Sequence, residues 1–208
     1  MEKYTIKNIV FDFGDIFIDL DKPATLNRIQ QLGLQELTPE MVKMNETYEK
    51  GLVSTQDFVK YYHHLLPHTS REQLIEAWNA IILDFPEYRL KFIEDLSRRK
   101  QYRLFLLSNT NELHIAQVKK RMTEDRYKRF KSCFEQFYLS HEIYLRKPDA
   151  EIFQYVTKQN RLIPQQTLFI DDTLENVKAS ETIGWNGWHL IPGEDDIVDL
   201  PKKNFLKK

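Results

Sequence analysis

The chain has 208 residues, with 30 Lys and Arg against 31 Asp and Glu, and a formal net charge of -1. This length fits one domain that carries a sizeable insertion. The balanced charge argues against a general polyanion binder, so we expect no nucleic-acid partner. With 41% hydrophobic and 29% charged residues, the composition is that of a folded globular protein.

The single cysteine, Cys133, excludes an intrachain disulfide and a Cys-rich zinc site. A reduced, cytoplasmic compartment is the natural expectation for such a chain. Residues 1–7 carry charges and lack the apolar stretch of a signal peptide. No apolar run approaches the roughly 20 residues that span a bilayer. We therefore expect a cytoplasmic protein with no membrane partner, acting as a monomer.

Three short apolar runs, each followed at once by polar residues, predict buried strands at residues 9–11, 104–107 and 167–170. Weaker strand patterns occur at 137–139 and 187–191. Helical patterns separate these runs at 86–99, 111–122, 149–159 and 174–183, and Asp149 can cap the third of these helices. Strands that alternate with helices of this length indicate an α/β fold with a mainly parallel sheet.

The segment 20–84 breaks this alternation, because it contains no convincing strand. Four helical stretches are predicted near 22–33, 39–50, 55–66 and 71–83, with cap signals at Thr38, Ser54 and Ser70. The sequence thus predicts an α/β core formed by 1–19 and 85–208 and an inserted four-helix unit at 20–84. The basic tail 201–208 is expected to be frayed.

Polar residues follow the strongest strands, where open parallel sheets bind their ligands. Asp12, Asp15, Asp171 and Asp172 would meet at that edge with Ser108. Such carboxylates repel and raise one another's pKa unless a cation joins them. Mg²⁺ fits, because it takes oxygen ligands from carboxylates and phosphate. Each Asp alone also fits a turn or a helix cap, but the whole set favours a metal site.

Four segments together resemble the motifs of the haloacid dehalogenase superfamily of phosphohydrolases. They are Phe-Asp-Phe-Gly-Asp at 11–15, Leu-Ser-Asn-Thr at 107–110, Arg-Lys-Pro at 146–148 and Phe-Ile-Asp-Asp at 169–172. The resemblance implies a Rossmannoid core with a small helical cap. Residues 51–54, 107–111, 138–140 and 145–148 further resemble a bacterial branch that includes α-D-glucose-1-phosphate phosphatase.

The resemblance also implies roles for individual residues. Asp12 would attack phosphorus and form an aspartyl-phosphate, and Lys147 would offset charge on the nucleophile and the phosphate. Ser108 and the Asn109 backbone would hold phosphate oxygens. The implied Mg²⁺ ligands are Asp12, the Gly14 carbonyl and Asp172, with Asp171 acting close by or through water, and Asn176 could support this shell.

One position departs from the usual pattern of these phosphatases. A second Asp, the general acid and base, normally stands where this chain has Gly14. The sequence therefore predicts a slow Mg²⁺-dependent phosphatase of a small phosphorylated metabolite, such as glucose-1-phosphate, whose anomeric oxygen leaves readily. A metal-independent 2-haloacid dehalogenase and a non-catalytic phosphometabolite-binding protein remain as alternatives. The pair Asp171 and Asp172 argues against the dehalogenase, and Gly14 favours the binding protein.

The predicted helical insert offers several candidates for contact with substrate. Met44, Tyr48, His63, His64 and Trp78 are candidates. For the adjacent His63 and His64, one packed and one exposed histidine is favoured, and for Trp78 packing in the cap core is favoured. His114, on the helix after the second motif, is expected near the crevice.

Overall fold

The computed structural model describes residues 5–206. Its five-stranded sheet has the order β3-β2-β1-β4-β5, and every pair of neighbouring strands is parallel. The strands are β1 (Asn8–Phe11), β2 (Arg103–Ser108), β3 (Gln136–Leu139), β4 (Thr167–Asp171) and β5 (Asn186–His189). The predicted α/β fold is confirmed, and both weak strand patterns are strands.

Two apolar clusters cover the two faces of the sheet, because successive strand residues point to opposite faces. Ile9 and Phe11 pack in one cluster and Val10 in the other. The first cluster is completed by α5 (Glu87–Arg99), α6 (Glu112–Met122) and α7 (Glu124–Lys131). The second is completed by α9 (Ala150–Asn160) and α10 (Leu174–Thr182). The result is a three-layer α/β/α core.

Three local features differ from the sequence-based expectations. Helix α7 and the short helix α8 (Ser140–Ile143) were not predicted. Asp149 stands at the start of α9, but its side chain makes no capping hydrogen bond and pairs with Lys50 instead. The tail was wrongly expected to fray: 3₁₀ turns at Ile197–Lys202 and Asn204–Leu206 pack on the core, where Phe205 meets Trp188. Residues 207–208 lie outside the described part of the chain.

Between β1 and α5 lie four helices: α1 (Ala24–Gln31), α2 (Pro39–Glu49), α3 (Thr55–Leu65) and α4 (Arg71–Asn79). We call these four helices the cap. The side chains of Thr38, Ser54 and Ser70 each accept a backbone N–H at a helix start, as their positions predicted. The cap has its own apolar core, which includes four buried aromatic residues, namely Tyr48, Phe58, Tyr62 and Trp78. In residues 5–206, no helix is both long and apolar enough to cross a membrane.

The chain enters and leaves the cap through two segments that pair with each other. Leu20 and Ile82 form an antiparallel bridge. The Asp19 N–H donates to the Asp84 carbonyl at 2.8 Å, and the Leu83 N–H donates to the Asp19 carbonyl at 3.0 Å. The cap is thus attached to the core by a short two-stranded ribbon beside the end of β1.

Candidate active site

The carboxyl ends of three neighbouring strands bring the predicted site residues together. Asp12 follows β1, Ser108 ends β2, and Asp171 ends β4 with Asp172 directly after it. Strand β1 lies between β2 and β4, so these side chains share one edge of the sheet. This edge is the place where parallel α/β sheets bind ligands.

Lys147 lies at the centre of this edge and is 1% exposed. Its Nζ donates to Asp12 Oδ1 at 2.7 Å and to Asp171 Oδ2 at 2.7 Å. Burial alone would lower the pKa of Lys147, but the two carboxylates outweigh burial and hold it above its ordinary value. Lys147 is therefore a buried cation that joins two carboxylates.

Asp12 is buried beside Lys147 and two further carboxylates. Burial raises the pKa of Asp12 to about 7; Lys147 opposes this rise, and Asp171 and Asp172 add to it. Burial likewise raises the pKa of Asp172. A divalent cation at these groups would favour the ionised form of Asp12, which is the form a nucleophile needs.

Asp171 is held by several donors at once. Its Oδ1 accepts from the Thr173 N–H at 2.8 Å and from Asn176 Nδ2 at 3.1 Å, while Oδ2 accepts from Lys147. Since both oxygens carry protein hydrogen bonds, the geometry suits Asp171 to orienting Lys147. Asn176 therefore supports the site through Asp171.

Asn109 has a contact that the sequence did not predict. Its side-chain Nδ2 donates to the Lys147 carbonyl at 2.9 Å, and its Oδ1 accepts from the Lys147 N–H at 2.9 Å. This pair of bonds fixes the backbone of Lys147 against the end of β2. The resemblance implied only a backbone role for Asn109, and the two-point contact joins residues 38 positions apart.

The donor set at this edge suits a hard divalent cation. Carboxylate oxygens of Asp12, Asp171 and Asp172 lie within 4.8 Å of one another. Oxygen ligands of this kind are those that Mg²⁺ prefers. The residues present therefore fit the Mg²⁺ that the sequence predicted.

Lys22, just before α1, extends to the same carboxylates. Its Nζ donates to Asp172 and lies 3.1 Å from Asp15 Oδ2. Asp15 adopts a left-handed backbone with a φ of 53°, and its Oδ1 accepts from the Leu20 N–H. No local pattern in the sequence predicts the contact between Lys22 and Asp172, which joins the base of the cap to the end of β4.

The position of the usual general acid has a specific neighbour. The side chain of Leu20 occupies the space beside Gly14 into which a larger side chain would extend. The loop after β1 therefore carries the apolar Leu20 side chain where related phosphatases carry the carboxyl group of the general acid.

The other candidate residues form a contact between cap and core. Trp78 packs in the cap's aromatic cluster and stacks on His114 with ring centroids 5.3 Å apart. The ring of His114 also bonds to the Trp78 carbonyl and to Asn111. Burial lowers the pKa of His114 to about 4, so this histidine is neutral near pH 7. His64 is exposed and His63 is half-buried on α3.

Comparison with known proteins agrees with this geometry. The haloacid dehalogenase-like hydrolase family matches residues 2–184. The chain is 30% identical over 196 residues to D-ribitol-5-phosphate phosphatase from Bacteroides thetaiotaomicron, covering 91% of this chain and 94% of that protein.

Solved structures give the same result. A haloacid dehalogenase family enzyme from Bacteroides thetaiotaomicron, in complex with magnesium, has a TM-score of 0.82 and 31% identity, covering 92% of this chain and 96% of that chain. The same enzyme with magnesium and inorganic phosphate has a TM-score of 0.77 and 30% identity, covering 91% and 96%. A hydrolase of this fold from Porphyromonas gingivalis has a TM-score of 0.77 and 26% identity, covering 96% of each chain.

The chain belongs to the haloacid dehalogenase-like hydrolase family. It is an enzyme with the family's Rossmannoid core and an inserted helical cap. Its cluster of Asp12, Asp171 and Asp172 could hold a metal ion, and the similar Bacteroides thetaiotaomicron enzyme has been crystallised with magnesium.

Proposed function

We propose that this enzyme is a Mg²⁺-dependent phosphatase that hydrolyses the phosphate monoester of a small polyhydroxylated metabolite through an aspartyl-phosphate on Asp12. The observation that carries the proposal is the buried Lys147, 2.7 Å from both Asp12 and Asp171 at the strand ends that also present Ser108 and Asp172. A buried cation placed between a nucleophile and a fixed carboxylate suits the transfer of a negatively charged group.

In the proposed reaction, a carboxylate oxygen of Asp12 attacks phosphorus, and the bond from phosphorus to the ester oxygen breaks. The leaving alkoxide takes a proton from water, because Gly14 supplies no acid. Water then attacks the phosphorus of the aspartyl-phosphate, which releases phosphate and restores Asp12. Lys147, Ser108 and the Asn109 backbone would hold phosphate oxygens during both steps.

The metal would be bound by the same edge of the sheet. Asp12, the Gly14 carbonyl and Asp172 would hold Mg²⁺, which neutralises charge on the phosphate oxygens when bound. Asp171 would act beside them, since its oxygens already accept from Thr173, Asn176 and Lys147.

Similarity supports the substrate class. A relative of nearly the same length is named as a D-ribitol-5-phosphate phosphatase. We infer that a sugar phosphate or sugar-alcohol phosphate is the substrate, with D-ribitol 5-phosphate and glucose 1-phosphate as candidates.

We further propose that residues 1–19 and 85–208 form the catalytic core and that residues 20–84 form a cap that selects the substrate. We also propose that the enzyme acts as a cytoplasmic monomer.

The test is phosphate release from a panel of sugar and sugar-alcohol phosphates with Mg²⁺. We expect turnover by the wild type, none by Asp12→Asn, and none after EDTA treatment. Asp125→Asn, an exposed site on α7, is the matched control and should keep wild-type turnover. Equal background release from wild type and Asp12→Asn would overturn the proposal. Cleavage of a 2-haloacid in EDTA would support a dehalogenase, and tight binding without turnover would support a binding protein.

A further inference from the structure

A cavity of about 230 Å³ lies between the cap and the core. Its lining includes Lys22, Asn45, Glu49, Tyr62 and Trp78. Lys22 also contacts Asp15 and Asp172, so the cavity adjoins the carboxylate cluster. Since this volume is below the roughly 300–1,000 Å³ of sites for drug-sized ligands, it suits the carbon chain of a small metabolite.

Asn45 presents hydrogen-bond donors to this cavity. The hydroxyl of Tyr62 donates to Asn45 Oδ1 at 2.7 Å. Burial raises the pKa of Tyr62 to about 12, so the phenol keeps its proton and remains a donor. Tyr62 holds the amide by its oxygen, and no described residue accepts from Nδ2, so Nδ2 supplies the donors that Asn45 can offer a ligand.

Glu49 presents an acceptor on the same face of α2. Residues four apart on a helix lie one above the other, so Asn45 and Glu49 are neighbours. Arg146 Nε donates to Glu49 Oε2 at 2.7 Å, and this contact fixes the carboxylate. Its second oxygen is then available as an acceptor. Arg146 directly precedes Lys147, so this end of the cavity also adjoins the site.

We propose that Asn45 and Glu49 bind hydroxyl groups on the carbon chain of the substrate, with Tyr62 as the positioning residue for Asn45. A hydroxyl group both donates and accepts, so a fixed donor beside a fixed acceptor matches two neighbouring hydroxyls. The inference rests on the proposed phosphatase function and names the groups of the cap that recognise a polyol.

The discriminating experiment compares D-ribitol 5-phosphate with 1-pentyl phosphate, which has the same number of carbons and no hydroxyl groups. We expect the wild type to prefer the polyol phosphate in kcat/KM. Asn45→Leu should raise KM for the polyol phosphate about fivefold, since one hydrogen bond contributes roughly 1 kcal/mol. Its kcat/KM for pentyl phosphate should stay at the wild-type value. Asn27→Leu, at an exposed position on α1, is the matched control and should change neither substrate.

Tyr62→Phe tests the positioning role separately. It should raise KM for the polyol phosphate with little change in kcat and leave pentyl phosphate unaffected, whereas a merely structural role would alter both substrates alike. Equal loss on both substrates for Asn45→Leu, or a wild-type preference for pentyl phosphate, overturns this inference. A separate assay tests the phosphatase proposal. If the wild type hydrolyses p-nitrophenyl phosphate and Asp12→Asn does not, the phosphatase proposal stands even where the hydroxyl-binding inference fails.

Discussion

The Cδ1 atom of Leu20 lies 2.6 Å from the position that a Cβ atom on Gly14 would occupy. That separation is far below ordinary van der Waals contact, so a side chain at residue 14 requires Leu20 to move. The choice of residue at position 14, where the usual general acid stands, therefore depends on the side chain at position 20. Leu20 also forms a backbone bridge with Ile82, which holds the main chain from which this side chain extends.

Restoring the acid should therefore need two changes. Gly14→Asp alone should lower the melting temperature without raising kcat, because the new side chain meets Leu20. With Leu20→Ala as well, kcat on a poor alkyl leaving group should rise about tenfold or more, toward the roughly 100- to 10,000-fold worth of general acid catalysis. Steady-state kinetics on pentyl phosphate measure both variants. A single Gly14→Asp variant as active as the double variant would show that Leu20 is no obstacle.

Removing the buried cation should affect stability in a pH-dependent way. Lys147→Met leaves Asp12 and Asp171 facing each other, and breaking a buried pair costs about 3–5 kcal/mol. The folded-state pKa of Asp12 is already raised to about 7. Without Lys147 it rises further, so the folded protein holds a proton that the unfolded chain has lost. Stability of the variant should therefore fall as pH rises through 7, and its deficit should be larger at pH 8 than at pH 5.

Urea unfolding of the metal-free protein at these two pH values measures the effect. Lys22→Met is the matched control, because Lys22 contacts Asp172 but its side chain is 55% exposed. The free energy of unfolding of Lys22→Met should fall by about 0–1 kcal/mol, which is the contribution of a solvent-exposed ion pair. Phosphatase turnover should disappear in Lys147→Met. Equal destabilisation by the two variants would contradict the central place of Lys147.

The neutral His114 should make the fold sensitive to acid. Its folded-state pKa of about 4 lies below the ordinary 6.5. As pH falls from 6.5 towards 4, His114 binds a proton in the unfolded chain but stays neutral in the folded protein. The free energy of unfolding therefore falls by roughly 3 kcal/mol over this range. His114→Gln removes this proton linkage. The difference in stability between wild type and His114→Gln should therefore narrow from pH 7 to pH 4.5 in urea titrations, whereas an unchanged difference would show that folding does not lower the pKa of His114.

The end of α2 lies against the core without room for a side chain. A Cβ atom on Gly51, where φ is 67°, would lie 2.1 Å from the His141 carbonyl oxygen. Gly51→Ala should cost more than the roughly 1–2 kcal/mol of a left-handed backbone alone, because α2 must also move away from α8. Gly193→Ala isolates the backbone cost, since that glycine has a φ of 87° and no atom within 4 Å of its Cβ position. Thermal unfolding measures both, and equal losses would contradict the contact with His141.

The sheet and its catalytic edge could be predicted because each carries a local signal. The buried strands are continuous apolar runs, and the polar residues that end them lie where parallel strands place ligands. Asp12, Ser108, Asp171 and Asp172 were found in this way. Helix α7 had no such signal, because only Tyr127 and Phe130 are buried in its eight residues.

The remaining features depend on contacts that the local sequence pattern does not indicate, most of them between residues far apart in the chain. Lys22 reaches Asp172 across 150 positions, and Lys50 takes Asp149 away from its expected cap. Leu20 meets Gly14 only because the loop after β1 turns back on itself. Such contacts depend on the conformation of a loop and on how the cap packs on the core. Hydrophobic periodicity in the sequence predicts neither.

The paired segments that join cap and core have a consequence for how such an enzyme could arise. Asp19 and Asp84 are neighbours through a backbone hydrogen bond, although 64 residues separate them along the chain. The insert is therefore a closed loop whose two ends lie side by side where they join the core. A tight turn joining the same two positions would leave β1 and α5 where they are, so the catalytic edge and the cap can diversify as separate modules of one gene.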